Sequence, residues 1–382
     1  MMKKFKAFLT EGGNAPYIDR KTGDILGDAD RVNFKNVDRS RLRKVMLKMF
    51  KELNARFKKT HGKALWPDFS NVENGRVFNG SSEHFFNPDI TDKEFTAIKK
   101  LMGDIDVAIP KEILPDLFNL LASIENEEIV DGVIYKGQNK KEVRGYQINS
   151  VFHVKSIDLN IQVDFEAVQY EKGMPDEFGK FSHNSSWRDM KSKLKGFGHK
   201  YLLIALTRNL SKFDGLIVTP SSTPDDIKIS EAKKFEHPSM FSFSVDRGFR
   251  KKFEPFMDNG KHLAKEGKKL YRELSTDDST YSTDVSELFE LIFEVKPTRN
   301  DKENFKSFLG LLDLMKKFRI DPKPIFDSFQ KMLWGESSQM LYKNLPDKDQ
   351  DVKTVFVDEF VKKFPQVVVL KDKSLVDDFY SN

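Results

Sequence analysis

The stretch GDIDVAIP, residues 103–110, decides how the chain reads, together with NIQVDFEAV at 160–168. In DIDVAI, polar and apolar residues alternate with period two, so a strand places Asp104 and Asp106 on one face and Ile105 and Val107 on the other. NIQVDFEAV is a second strand, with Gln162, Asp164 and Glu166 sharing a face. If the two strands lie side by side, three carboxylates converge. Like charges a few ångströms apart raise one another's pKa, and a divalent cation among them removes the conflict.

Upstream, FNGSSEHFF at 78–86 puts Gly80-Ser81 between a short strand, Arg76 to Phe78, and a helix. Backbone N–H groups and a hydroxyl in that setting suit an anionic phosphate. The chain contains no cysteine and seven histidines, so a metal is held by oxygen or imidazole, and oxygen favours a hard cation such as Mg²⁺, with Mn²⁺ next. Acid cluster and Gly-Ser pair together describe a site for a metal-bound triphosphate.

The remaining pattern frames that site. With 382 residues the chain has room for two or three domains of about 150 residues each. The hydrophobic fraction of 38% and charged fraction of 32% are those of a globular protein, and no apolar run approaches the roughly 20 residues a membrane helix needs, so no membrane partner is expected. A net charge of +5 is compatible with a nucleotide or nucleic-acid partner without requiring one. The 34 phenylalanines read as core filler. Helical spacing covers Ser40 to Lys59, Asp92 to Met102, Ile113 to Ile124 and Trp187 to Arg208; strands are expected at Ile129 to Tyr135, Val143 to Lys155 and Ile157 to Tyr170. Beyond Gly248 no strand alternation is evident, and no internal repeat stands out. The expected fold class is α/β (α+β): a small mixed-sheet domain over 12–248, then a mostly helical domain over 249–382.

Lys193 and Lys200 follow the third acid on the expected helix and would reach a triphosphate as point charges, although a solvated helix face is the preferred account of most lysines there. His199 beside them reads as a core or surface histidine. Glu294-Val295-Lys296, with Asp284 upstream, has the form of a nuclease acid-x-Lys motif, while Leu288 to Phe293 just before it reads as helix core.

The order Gly-Ser, Asp-x-Asp on a strand, then a third Asp on a later strand resembles the polymerase-beta-type nucleotidyltransferase superfamily. The resemblance implies that Gly80 and Ser81 bind the nucleotide phosphates, that Asp104 and Asp106 bridge two Mg²⁺ ions, and that Asp164 completes the metal site and helps activate the attacking hydroxyl. It implies transfer of a nucleoside monophosphate from an NTP to a hydroxyl acceptor: an RNA 3′ end, a host protein or a small molecule. Most members separate the Gly-Ser and Asp pairs by roughly ten residues, against about two dozen here, an insertion that a surface loop tolerates. The N-terminal MMKKFKAFLTE, ending in Leu9-Thr10-Glu11 before Gly12, resembles the capsid-targeting leader of internal head proteins in large tailed bacteriophages. That resemblance implies cutting after Glu11 by the prohead protease, a location inside the phage head and delivery to the host cytoplasm. The alternative role is a non-catalytic internal virion protein that keeps the fold and binds nucleic acid or capsid.

Overall fold

The computed structural model describes residues 16–18, 25–138, 147–183, 185–194, 196–218, 223, 239–244, 248–274, 281–334 and 347–367. Leu9, Glu11 and Gly12 of the leader lie outside the described residues. The chain divides into two compact units, Met1–Lys191 and Ser192–Asn382. No described helix is long and apolar enough to cross a membrane.

In the first unit, helix α1 (Arg39–His61) begins where the Asp38 carboxylate accepts the Arg41 N–H at 2.6 Å and ends at Gly62 in the left-handed region. Its stripe Leu42, Met46, Met49, Phe50, Leu53 and Phe57 is buried, as the spacing of these residues requires. The short helices α2 (Gly80–Phe86) and α3 (Asp92–Ile98) lead into strand β1 (Asp104–Pro110), then helix α4 (Leu114–Ser123). Strands β2 (Glu128–Val130), β3 (Val133–Gln138), β4 (Gln147–Val154) and β5 (Leu159–Val168) form an antiparallel meander, and β1 adds to it beside β5 in parallel. The sheet order is therefore β1-β5-β4-β3-β2. Ile105, Val107, Val163 and Phe165 enter the core from one face, which leaves the carboxylates on the other. Helices α5 (Glu177–Ser182) and α6 (Trp187–Lys191) close the unit.

The second unit holds α7 (Gly196–Leu210) and a set of short strands: β6 (Leu216–Val218), β7 (Phe241–Ser244), β8 (Gly248–Lys251), β9 (Phe253–Pro255), β10 (Met257–Asp258), β11 (Lys261–His262), β12 (Ala264–Lys265), β13 (Lys268–Glu273) and β14 (Tyr281–Ser282). Then come α8 (Val285–Phe293), α9 (Arg299–Phe305), α10 (Phe308–Lys317), α11 (Pro322–Trp334) and α12 (Asp347–Lys363). Their buried phenylalanines, Phe289 and Phe308 among them, pack ring against ring, consistent with core filling.

Several local expectations need correction. Residues 248–274 and 281–282 hold strands and hairpins where helix is expected, because all of these strands but the six-residue Lys268–Glu273 are too short to show alternation. The expected strand at 76–78 reduces to one bridge, Phe78 to Val107, since the chain turns at once into α2. The helix expected to reach Met102 stops at Ile98: Lys99 is extended, and Leu101-Met102 pairs with Val32-Asn33. The helix expected over 187–208 is two helices, interrupted at Lys193, whose φ is +61°.

Candidate metal and nucleotide site

The parallel register of β1 with β5 sets Asp104 opposite Gln162, Asp106 opposite Asp164 and Ala108 opposite Glu166. Asp104, Asp106 and Asp164 each offer an oxygen, and these oxygens all lie within 4.8 Å of one another. Asp164 and Asp106 are tied to their surroundings. Asp164, 5% exposed, accepts from Asn149 Nδ2 at 2.8 Å and from Gln162 Nε2 at 2.9 Å. The backbone of Asp106 is clamped on both sides, its N–H donating to Ser82 Oγ at 3.0 Å and its carbonyl accepting the Asn79 N–H at 3.1 Å. Glu166, next along that face of β5, accepts from Asn79 Nδ2 at 2.5 Å, and His183 Nδ1 stands 3.3 Å from the same oxygen.

Helix α2 is anchored from behind. The buried Arg39 guanidinium donates to the carbonyls of His84, Phe85 and Asn87 at 2.7 to 3.1 Å and to Asp92 at 2.9 Å, satisfying carbonyls that the end of a short helix leaves free. Stacking of Phe78 on Phe86, with centroids 3.7 Å apart, fixes the other side. Gly80 is required by geometry: its φ is +55°, and a Cβ there would stand 3.1 Å from Asp106 Oδ2.

The electrostatics follow from this packing. Burial pushes the Asp106 carboxyl well above the carboxylate range, and Glu166, Asp104 and Asp164 push it further, with Lys99 opposing. Burial, then Asp104, raises Asp164 to about 8 against the hydrogen bonds from Gln162 and Asn149. Burial also pushes Lys180 down; its ammonium donates to the Phe78 carbonyl at 3.2 Å. Carboxyls pushed upward by burial and then by one another gain from a multivalent cation among them. The donors are all oxygen, so Mg²⁺ or Mn²⁺ fits the residues present.

Asp104, Asp106 and Asp164 are brought together, with Gly80 against Asp106. The phosphate role implied for the Gly80 backbone does not fit, because its N–H donates to the His183 carbonyl at 2.9 Å. The Ser81 hydroxyl is bonded to the Lys99 ammonium. Lys193 and Lys200 belong to the second unit, Lys193 exposed in its left-handed turn and Lys200 half-buried on α7. Among the described residues of the first unit, Lys99 acts on Asp106 and Lys180 donates to the Phe78 carbonyl beside it, lysines that sequence reasoning misses; Lys99 sits where a helix end is expected. His199 is a core histidine: it lies 2.8 Å from the Phe305 carbonyl, and burial lowers it to about 4. The acid-x-Lys reading fails. Asp284 caps the start of α8, accepting from Ser286 and Glu287, whereas Glu294 terminates that helix in a left-handed turn.

No family model matches the chain, and neither a curated protein nor a solved structure does.

Proposed function

We propose that the chain is a metal-dependent nucleotidyltransferase, moving a nucleoside monophosphate from an NTP to a hydroxyl acceptor. The observation that carries this reading is the pairing of Asp106 with Asp164 across two parallel strands, with Asp104 on the same face and all three carboxylates within 4.8 Å. Mg²⁺ or Mn²⁺ held by Asp104, Asp106 and Asp164 would supply charge neutralisation for the triphosphate and for the leaving pyrophosphate. Lys99 and Ser81 face the phosphates and replace the Gly80 backbone in that role. Gly80 keeps the space beside Asp106 open. Asp164, kept ionised when a cation is held among the three acids, would accept the proton of the acceptor hydroxyl as its oxygen bonds to the α-phosphorus and the bond to the pyrophosphate oxygen breaks. Asn149 and Gln162 hold the Asp164 carboxylate in place for that step.

The test is incorporation of α-labelled NTPs, each base in turn, into RNA, protein or small-molecule acceptors with Mg²⁺ or Mn²⁺. Labelling that requires metal and vanishes in Asp104→Asn/Asp106→Asn supports the reading; labelling unchanged in the double variant overturns it. Location in a phage head is part of the same proposal. Mass spectrometry of purified particles should find a peptide beginning at Gly12, and particles carrying only protein that begins at Met1 would refute it.

A further inference from the structure

The second unit contains a pattern that recurs with a spacing of seven: Phe256-Met-Asp-Asn-Gly-Lys-His, then Leu263-Ala-Lys-Glu-Gly-Lys-Lys, then Leu270. Each repeat is a hairpin with a two-residue turn. In the first, β10 pairs with β11, Asp258 opposite Lys261; in the second, β12 pairs with β13, Lys265 opposite Lys268. Both central residues of each turn have positive φ, Asn259 +45° and Gly260 +75°, then Glu266 +53° and Gly267 +78°. That is the turn whose twist matches paired strands. The residues that begin the repeats close a backbone ring. Phe256 N–H donates to the Leu270 carbonyl, Leu263 N–H to that of Phe256, and Leu270 N–H to that of Leu263, each at 2.9 Å. Their side chains pack with Val218 and Leu216. Two hairpins thus leave one fixed root.

What they present is positive charge. Lys261, Lys265, Lys268 and Lys269 are all exposed, and none forms an ion pair among the described residues. Lys265 and Lys268 face each other directly, a repulsion that salt screens and that a bound anion relieves. Residues 250–272 hold eight basic and three acidic side chains, a surplus of five that equals the net charge of the whole chain. The repeat gives the charge a period: Lys261 and Lys268 occupy equivalent positions after equivalent glycines.

We propose that these twin hairpins bind the phosphate backbone of a nucleic-acid strand. A periodic structure bearing the same charge at the same place in each unit fits a polymer with one charge per repeat. A protein partner is anchored by a cluster of apolar side chains, and this face exposes one large apolar side chain among the described residues, Met257. The inference goes beyond the transferase reading and does not rest on the acid cluster.

The experiment is a fluorescence anisotropy titration of the full chain against a labelled oligouridylate of about 20 nucleotides, long enough for a non-specific single-strand site, over a range of KCl concentrations. Chelator is present throughout, so failure of the metal site cannot imitate failure here. The affinity should fall linearly in log–log form with salt. Replacing Lys261, Lys265, Lys268 and Lys269 together with Gln should flatten the slope by about 3, since each single-strand phosphate contact contributes about 0.7, and weaken binding at least about tenfold at low salt. Lys265→Gln alone should remove about one contact's share. A control with the same charge change on α1, Lys44, Lys48, Lys51 and Lys58 to Gln, should keep both slope and affinity. Equal losses in the two quadruple variants would reduce the effect to net charge and overturn the proposal. Aggregation of the hairpin variant with binding intact would also overturn it, assigning the lysines to protection of an open sheet edge. Competition by polyglutamate as strong as that by unlabelled oligouridylate would assign the surface to an acidic protein instead.

Discussion

Asp106 and Lys268 are both strand residues that face a like charge directly across a ladder, Asp106 opposite Asp164 and Lys268 opposite Lys265. The resemblance ends at burial. Asp164 is buried and Asp106 partly so, desolvation dominates at both and drives their carboxyls upward, whereas the lysines stand in water. A buried like-charge pair is costly at neutral pH and is relieved by something small and compact, a proton or a metal ion. An exposed pair is screened by salt and costs little, so what it attracts is large, repetitive and held in a salt-dependent way. Two ladders with the same local fault therefore call for different ligands.

The sharpest way to break this comparison is at the acids. Asp106→Asn should reduce nucleotide transfer by about three orders of magnitude, the scale on which a preorganised charge stabiliser contributes, as read by labelled-NTP incorporation. The same variant should melt at a higher temperature than the parent at pH 8 without metal, because a repulsion is gone. A lower melting temperature there would mean that the carboxylates are structural.

Proton linkage separates the units next. Asp164 has a folded pKa raised to about 8 against an unfolded value near 4, so the folded state holds the extra proton, and its stabilising share is full at low pH and lost as pH rises through 8. His199 is depressed to about 4 from 6.5, so its share is full above 6.5 and lost as pH falls through 4. The upper bounds are on the order of 5 and 3 kcal/mol respectively. Hydrogen exchange at pH 5 and pH 8 without metal should therefore show β5 less protected at the higher pH and α7 less protected at the lower. Mg²⁺ should abolish the first loss and leave the second.

Smaller effects refine the picture. Asn149→Ala removes a bond to Asp164 Oδ1 and should weaken Mn²⁺ binding by about 10- to 100-fold, the usual scale for a residue that orients a ligand; calorimetry measures it. Gly267→Ala should cost about 1 kcal/mol in thermal stability and leave Mn²⁺ affinity unchanged, since its φ of +78° carries only the left-handed penalty in open space. Gly80→Ala carries that penalty and also crowds Asp106, so it should lower Mn²⁺ affinity as well.

The acid face is legible in the sequence because the alternation in 104–110 and 160–168 is local, and period two alone assigns Asp104, Asp106 and Asp164 to faces. Their pairing is not legible, since register depends on contacts between strands far apart in the chain. Lys99 escapes notice for a related reason: its helix ends early because Leu101 and Met102 pair with a strand about 70 residues upstream, a tertiary effect that overrides local propensity. The hairpins at 256–272 are hidden by shortness, although Asn259-Gly260 is itself a hairpin signal and its counterpart seven residues on marks the repeat.

The parallel pairing of β1 with β5 has a consequence for how the molecule assembles. Strands β2 to β5 zip up from neighbours close in sequence, while β1 waits for a partner that begins 55 positions later. Long-range parallel pairing is the slow class of contact, so the meander forms first and the docking of β1 comes late. A chain emerging from the ribosome would carry Asp104 and Asp106 well before Asp164 exists to complete them, and would acquire metal affinity only in the last step of folding this sheet.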